Sequence, residues 1–177
     1  MPRLFTGLEL PADVVRQVSL ARGGVLGARW LEPDDYHITL RFVGDVDRRV
    51  AHDIAETLGD IRRPKAQIRF EGLSWFGADR PRAIVARVRA DRRLMDLQAE
   101  QERRLRRVGL EPETRKFIPH VTLARLRGVS PAALADYLAS RGALTVESFW
   151  AERFVLYSAR DGSGGGPYVI EAAFPLD

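Results

Sequence analysis

His37-Ile38-Thr39-Leu40 and His120-Val121-Thr122-Leu123 lie 83 positions apart, close to half of a 177-residue chain. Only three histidines and six threonines are present. Two His-x-Thr pairs would arise by chance with a probability of roughly 0.3 percent, so the match marks a motif rather than composition. In an extended strand, residues i and i+2 point to the same face. Each string therefore sets an imidazole beside a hydroxyl, and sends Ile38, Leu40, Val121 and Leu123 into a core. Two such strands bordering one cleft would place two acid–base groups and two hydroxyl donors around a single small anion.

The flanking patterns repeat as well. Leu4 to Leu10 reads as a strand, followed by a helix through Val14, Val18 and Ala21 that closes at Gly23-Gly24. Trp30-Leu31 and residues 37–43 read as strands, and Val50, Ile54 and Leu58 give the next helix. Strands follow at about 67–76 and 83–89, joined by a hairpin over Gly77 to Pro81. A long helix over about 92–108 precedes the second motif strand, 119–125. Ser130-Pro131 then caps a helix through Leu134 and Leu138. Strands near 144–157 and 168–174 finish the chain, joined by the glycine-rich Asp161 to Pro167.

Each half thus runs helix, motif strand, helix and two strands joined by a turn, which is an internal duplication. The expected architecture is α+β: one domain over residues 1–177, built of two pseudo-twofold lobes, approximately 1–90 and 91–177. Hairpin joins imply two mainly antiparallel sheets, with helices outside, a central cleft, and strands free to swap between lobes.

Composition removes several classes of function. With 45% hydrophobic and 29% charged residues, this is an ordinary globular chain rather than a disordered one. No apolar run approaches the roughly 18 residues of a membrane span. The N-terminus reads as a strand, not a secretory leader, so a cytoplasmic location is expected. The absence of cysteine excludes disulfides, thiolate metal sites and a thiol nucleophile. The net charge of +4 favours anionic partners. Lys65 and Lys116 are the only lysines; arginine carries the rest, and its planar fork suits phosphate. Genome composition would also account for heavy arginine use.

Trp30-x-x-Pro33 with Tyr36 to Gly44, and Phe117-x-Pro119-His120-Val121-Thr122-Leu123-Ala124-Arg125, resemble the signatures of the 2H phosphoesterase superfamily. Arg3-Leu4-Phe5, Leu10-Pro11, Phe76, Pro81-Arg82 and Gly166-Pro167-x-Val169 extend the likeness over nearly the whole chain. Within the superfamily it is most similar to the RNA 2′,3′-cyclic phosphodiesterases formerly called 2′-5′ RNA ligases. The longer run of glycine before Tyr168 departs from their pattern. The resemblance implies a water-filled cleft, no metal and no cofactor. It implies hydrolysis of RNA 2′,3′-cyclic phosphate ends, single-stranded or tRNA-like, to 2′-phosphates. It makes His37 the proton donor and His120 the proton acceptor, gives Thr39 and Thr122 the phosphate oxygens, and makes Arg125 an anion contact. Run backwards, the same site would form a 2′-5′ linkage. A monomer without an obligate protein partner is expected.

From the residues alone the two histidines are symmetric. Imidazole, with a pKa near 6.5, serves as either acid or base near neutral pH. Arg125 breaks the alternation set by His120 and Thr122, so it needs a twist or a strand end to reach the cleft. Arg41 shares the face of His37 and Thr39 by alternation, as a candidate substrate contact or a solvated rim residue. Tyr168, Trp30 and Phe76 either stack on bases or pack in the core. His52 reads as a surface residue, and Arg103 to Arg107 as the solvated end of a helix. Three rival functions share these residues. One is a 2H phosphodiesterase for a small cyclic nucleotide or oligoadenylate, another a non-catalytic module that binds RNA ends. The third is a two-histidine metal site, disfavoured because neither motif itself carries an acidic or thiolate ligand.

Overall fold

The elements follow the expected order in the computed structural model, which describes residues 3–159 and 167–177. They are β1 (Arg3–Glu9), α1 (Ala12–Ser19), β2 (Ala28–Trp30), a 3-10 turn (Pro33–Asp35) and β3 (His37–Asp45). Next come α2 (Arg48–Gly59), β4 (Ala66–Ile68), β5 (Phe70–Phe76), β6 (Ala83–Val88) and α3 (Arg92–Arg107). The chain ends with β7 (His120–Leu126), α4 (Pro131–Arg141), β8 (Phe149–Ala151), β9 (Arg153–Ala159) and β10 (Tyr168–Pro175). The glycine-rich stretch 161–166 lies outside the described residues.

Three helices begin where a side chain can accept the otherwise unpaired backbone N–H groups of the first turn. Asp47 caps α2, Asp91 caps α3, and Ser130 caps α4 with Pro131 at the first helical position. Two expected strands are each split. Residues 67–76 divide into β4 and β5, and 144–157 yields only β8 and β9. The cause is tertiary: β4 and β8 leave the main sheet and pair with each other, Gln67 opposite Trp150.

Among the described residues the strands form two antiparallel sheets, of eight strands and of two. The larger runs β10-β9-β1-β3-β7-β6-β5, with β2 also on β7. The halves of the chain exchange strands. β5 and β6 extend the sheet beyond β7, while β9 and β10 extend it beyond β1. The two motif strands are central and adjacent, joined at Ile38 opposite Val121.

One face of this sheet is covered by helices. Leu8, Ile38, Leu40, Val121 and Leu123 pack there with Val14, Ile54, Leu58, Leu94, Leu97, Leu105 and Leu134. Each such side chain, fully buried, stabilises the fold by about 1.5–3 kcal/mol. The opposite face carries a smaller cluster of Phe5, Val155 and Tyr157, flanked by Tyr168.

Both motif strands contain an extra residue at the same place. Against β1, pairing jumps from Arg41 opposite Thr6 to Thr39 opposite Gly7, passing over Leu40. Against β6 it jumps from Ala124 opposite Ile84 to Thr122 opposite Val85, passing over Leu123. A bulge of this kind reverses which face later residues take. Leu40 and Arg41 are accordingly both buried, as are Leu123 and Ala124. β1 also runs close to β3: a Cβ on Gly7 would lie 2.7 Å from the Ile38 carbonyl oxygen. No helix among the described residues is long and apolar enough to cross a membrane.

Candidate active site

The antiparallel pairing of Ile38 with Val121 fixes the next positions outward: His37 level with Thr122, and Thr39 level with His120. All four side chains emerge on the face away from the helices. Ile38, Leu40, Val121 and Leu123 are at most 3% exposed on the other side, as alternation requires.

Both rings are held in the same way. His37 Nδ1 lies 2.8 Å from the Asp35 carbonyl oxygen, and His120 Nδ1 lies 2.6 Å from that of Ile118. A carbonyl only accepts, so each Nδ1 carries the proton and each Nε2 is left to exchange one. His37 Nε2 is 2.9 Å from Thr39 Oγ1; with the ring neutral, the hydroxyl donates to it. Aromatic rings complete the walls. Phe5, Tyr157 and Tyr168 surround His37, at centroid distances of 5.0, 5.5 and 5.1 Å. Phe76 meets His120 edge-on at 4.7 Å.

This environment disfavours charge on both imidazoles. Burial pushes His37 down to about 4, against the pull of the Asp35 carbonyl and with help from the positive charges of His120 and Arg125. Burial also lowers His120, opposed by the Ile118 carbonyl and reinforced by Arg87 and Arg125. Both rings are therefore neutral near neutral pH in the empty site. Arg125 acts on both, so its charge lies within reach of each ring. A cavity of about 630 Å³ opens beside His37, walled by Glu9, Asp34, Asp35, Tyr157, Tyr168 and Ile170. Among the described residues, no three histidine or acidic side chains gather as a metal-binding group.

The profile of the LigT-like phosphoesterases matches residues 8–85 and 88–168. The chain belongs to the LigT-like phosphoesterase family. It is similar to the RNA 2′,3′-cyclic phosphodiesterase of Aeropyrum pernix, 40% identical over 136 residues, covering 73% of this chain and 75% of that one. The protein of the same name from Aquifex aeolicus is 28% identical over 173 residues, covering 95% and 90%. Two solved structures share the fold. A Thermus thermophilus protein superposes with a TM-score of 0.81 at 21% identity, covering 98% and 97% of the two chains. Escherichia coli LigT, solved with 3′-AMP, gives 0.77 at 23% identity over 99% of each.

Within this LigT-like phosphoesterase the structure brings His37, Thr39, His120, Thr122, Arg125 and Tyr168 to one face. Arg125 gets there because the bulge at Leu123 turns the strand by one residue; it is exposed and sits across from Arg29 and Ala83. The same bulge at Leu40 corrects the expectation for Arg41. Phe42, not Arg41, takes the cleft side and stacks near Phe5. Arg41 is 7% exposed among the helices, bonded to Glu102 and to the Phe42 and Glu111 carbonyls. It is a structural ion-pair residue, not a substrate contact.

Trp30 packs on Tyr137, away from the cleft, whereas Phe76 walls His120. Arg104 and Arg106 are tied to Glu100 and Glu102 one turn back, and His52 is exposed beside Glu56. Four cleft-face residues escaped sequence reasoning: Phe5, Tyr157, Phe42 and Arg87. Phe5 lies in a run buried on both faces, and alternation across the bulge misassigns Phe42. Nothing local announces Arg87, which stands directly across the strand pair from His120.

Proposed function

We propose that the protein hydrolyses 2′,3′-cyclic phosphate ends of RNA to 2′-phosphomonoesters, by acid–base catalysis between His37 and His120. The observation that carries this reading is the shared anchoring of the two rings. Each Nδ1 is spent on a backbone carbonyl, so each Nε2 faces the cleft with a motif threonine beside it in register. The names of the relatives point to the same substrate.

In the proposed reaction His120 takes a proton from water, the water oxygen forms a new bond to phosphorus, and the bond from phosphorus to O3′ breaks. His37 delivers its proton to O3′, leaving a 2′-phosphate and a free 3′-hydroxyl. The proton on His37 arrives with the substrate, because the phosphodiester's negative charge raises the affinity of both rings for it. Thr39, Thr122 and Arg125 donate to the non-bridging oxygens as charge builds there. Each positioned proton transfer contributes about 10²–10⁴-fold. Two imidazoles serve both transfers, so the scheme calls on no metal. In reverse, a 5′-hydroxyl in place of water gives a 2′-5′ linkage, a minor outcome where water competes.

A defined single-stranded oligoribonucleotide with a 2′,3′-cyclic phosphate end, incubated with and without chelator, tests the reading. A 2′-phosphate product at the same rate in both is expected. A 3′-phosphate product overturns the assignment of the leaving oxygen, loss of turnover in chelator overturns metal independence, and binding without turnover overturns the enzyme.

A further inference from the structure

Two strand pairs in this fold are equivalent residue by residue, yet they differ in charge beside the histidines. In β1 against β3, Thr6, Gly7, Leu8 and Glu9 stand opposite Arg41, Thr39, Ile38 and His37. In β6 against β7, Ile84, Val85, Ala86 and Arg87 stand opposite Ala124, Thr122, Val121 and His120. Glu9 is thus the counterpart of Arg87. Glu9 is neutralised by Arg153 of β9, which donates to both its carboxylate oxygens at 2.7 and 3.1 Å. Arg87 makes no ion pair among the described residues, and Glu71, in the irregular stretch of β5 alongside, does not close on it. A neutral pair therefore faces His37 and a bare cation faces His120.

We propose that Arg87 is the positioning residue that assigns the two rings their separate roles, keeping His120 the proton acceptor and leaving the donor's proton to His37. This rests on the reading of the preceding section. Asp34 and Asp35 of the 3-10 turn line the cavity beside His37; no other group on the neighbouring strands makes that distinction. Arg125 of β7 acts on both. Tyr157 of β9 and Tyr168 of β10 beside His37, and Phe76 of β5 beside His120, carry no charge near neutral pH. Burial alone favours the opposite assignment, since it depresses His37 the more strongly in the open cleft. An RNA end seated there covers His120 as well, so burial ceases to discriminate. The Arg87 charge remains, and acts more strongly once water is displaced.

The test compares the wild type with Arg87→Gln and Arg87→Lys, each checked for cooperative melting. One readout is the NMR titration of both imidazoles in substrate-free, phosphate-free protein. The other is the pH profile of kcat/KM on a dinucleotide ending in a 2′,3′-cyclic phosphate. In Arg87→Gln the His120 titration is expected to rise by about one pH unit, with His37 moving by only a few tenths. Because His37 is the more depressed ring in the free enzyme, the form protonated on His37 alone is limited at high pH by His120; the basic limb of kcat/KM should therefore rise with it, and Arg87→Lys should restore both. His120 unmoved in a folded Arg87→Gln, an equal movement of His37, or a response in the acidic limb instead would each overturn the proposal. Failure of the underlying reading looks different: the wild type itself would leave the cyclic end intact at every pH.

Discussion

Leu40 and Leu123 are the same inserted residue in two equivalent strands, each the point where a motif strand slips by one against its outer neighbour. The slip keeps His-x-Thr on the cleft face and turns the fifth residue after each histidine onto it as well. Those residues are Phe42 and Arg125, so one side of the site receives an aromatic ring and the other a cation. The residue before each, Arg41 or Ala124, is turned under the helices.

The bulge separates two arginines that alternation alone would confuse. Arg125→Ala is expected to lower kcat/KM on a cyclic-phosphate oligonucleotide by about 10–100-fold with little change in melting, because it removes a donor to developing charge. Arg41→Ala should do the reverse. It strands Glu102 in a half-dry setting and costs about 2–4 kcal/mol of stability, while the surviving folded protein keeps its turnover. Thermal melts beside steady-state kinetics decide it; a catalytic loss in Arg41→Ala with unchanged melting would refute this division.

Removing either ring should abolish one limb of a bell-shaped profile. His37→Ala and His120→Ala are each expected to lower kcat by about 10²–10⁴-fold, with the double variant no worse than about tenfold below the poorer single one, because the rings act as one unit. Rate against pH for all three proteins is the measurement. Additive losses would mean that the two histidines work independently.

Thr39 donates to His37 Nε2 in the empty site and is freed to donate to a phosphoryl oxygen when that ring is protonated. Thr39→Val keeps the shape and removes the hydroxyl, so kcat should fall by about 10–100-fold; Thr39→Ser should retain most of it. Thr122→Val is expected to match Thr39→Val. A valine variant as fast as wild type would reduce the threonine to a strand former.

The depressed His37 also predicts a pH dependence of stability. Its pKa is about 4 when folded and near 6.5 when unfolded, so between these values the unfolded chain binds more protons. Stability should therefore rise with pH from about 4 to 6.5 and level off above. At pH 5 the cost is about 2 kcal/mol, or roughly 4–8 °C in melting temperature. In phosphate-free buffer, His37→Gln should lose less stability than wild type between pH 7 and pH 5. Parallel losses in the two proteins would place the burden elsewhere.

Much of the site was legible in one dimension because its elements are local. Alternation put imidazole and hydroxyl together on one face, and Ser130-Pro131 announced a helix start that the structure reproduces. Tyr168 was visible as an aromatic at the start of a strand, although its role as a wall for His37 depends on β10 lying two strands outside β1. Arg41 was misjudged for a specific reason. The period of two was carried across Leu40, and no residue in that window signals a slip that exists only relative to β1.

The sequence by itself determined the paired motif, the apolar residues behind it and the alternation of helix and strand, because side-chain direction in an extended segment is a property of the segment. The partners were decided only in three dimensions. Which strand lies beside which, where the register jumps, and whether a histidine meets a neutralised carboxylate or a bare guanidinium all depend on a neighbouring strand tens of residues away. Glu9 and Arg87 carry no mark of equivalence in the chain. They acquire it only because β1 and β6 dock on the motif strands in the same register, and backbone hydrogen bonding between strands, unlike local periodicity, is blind to distance along the sequence.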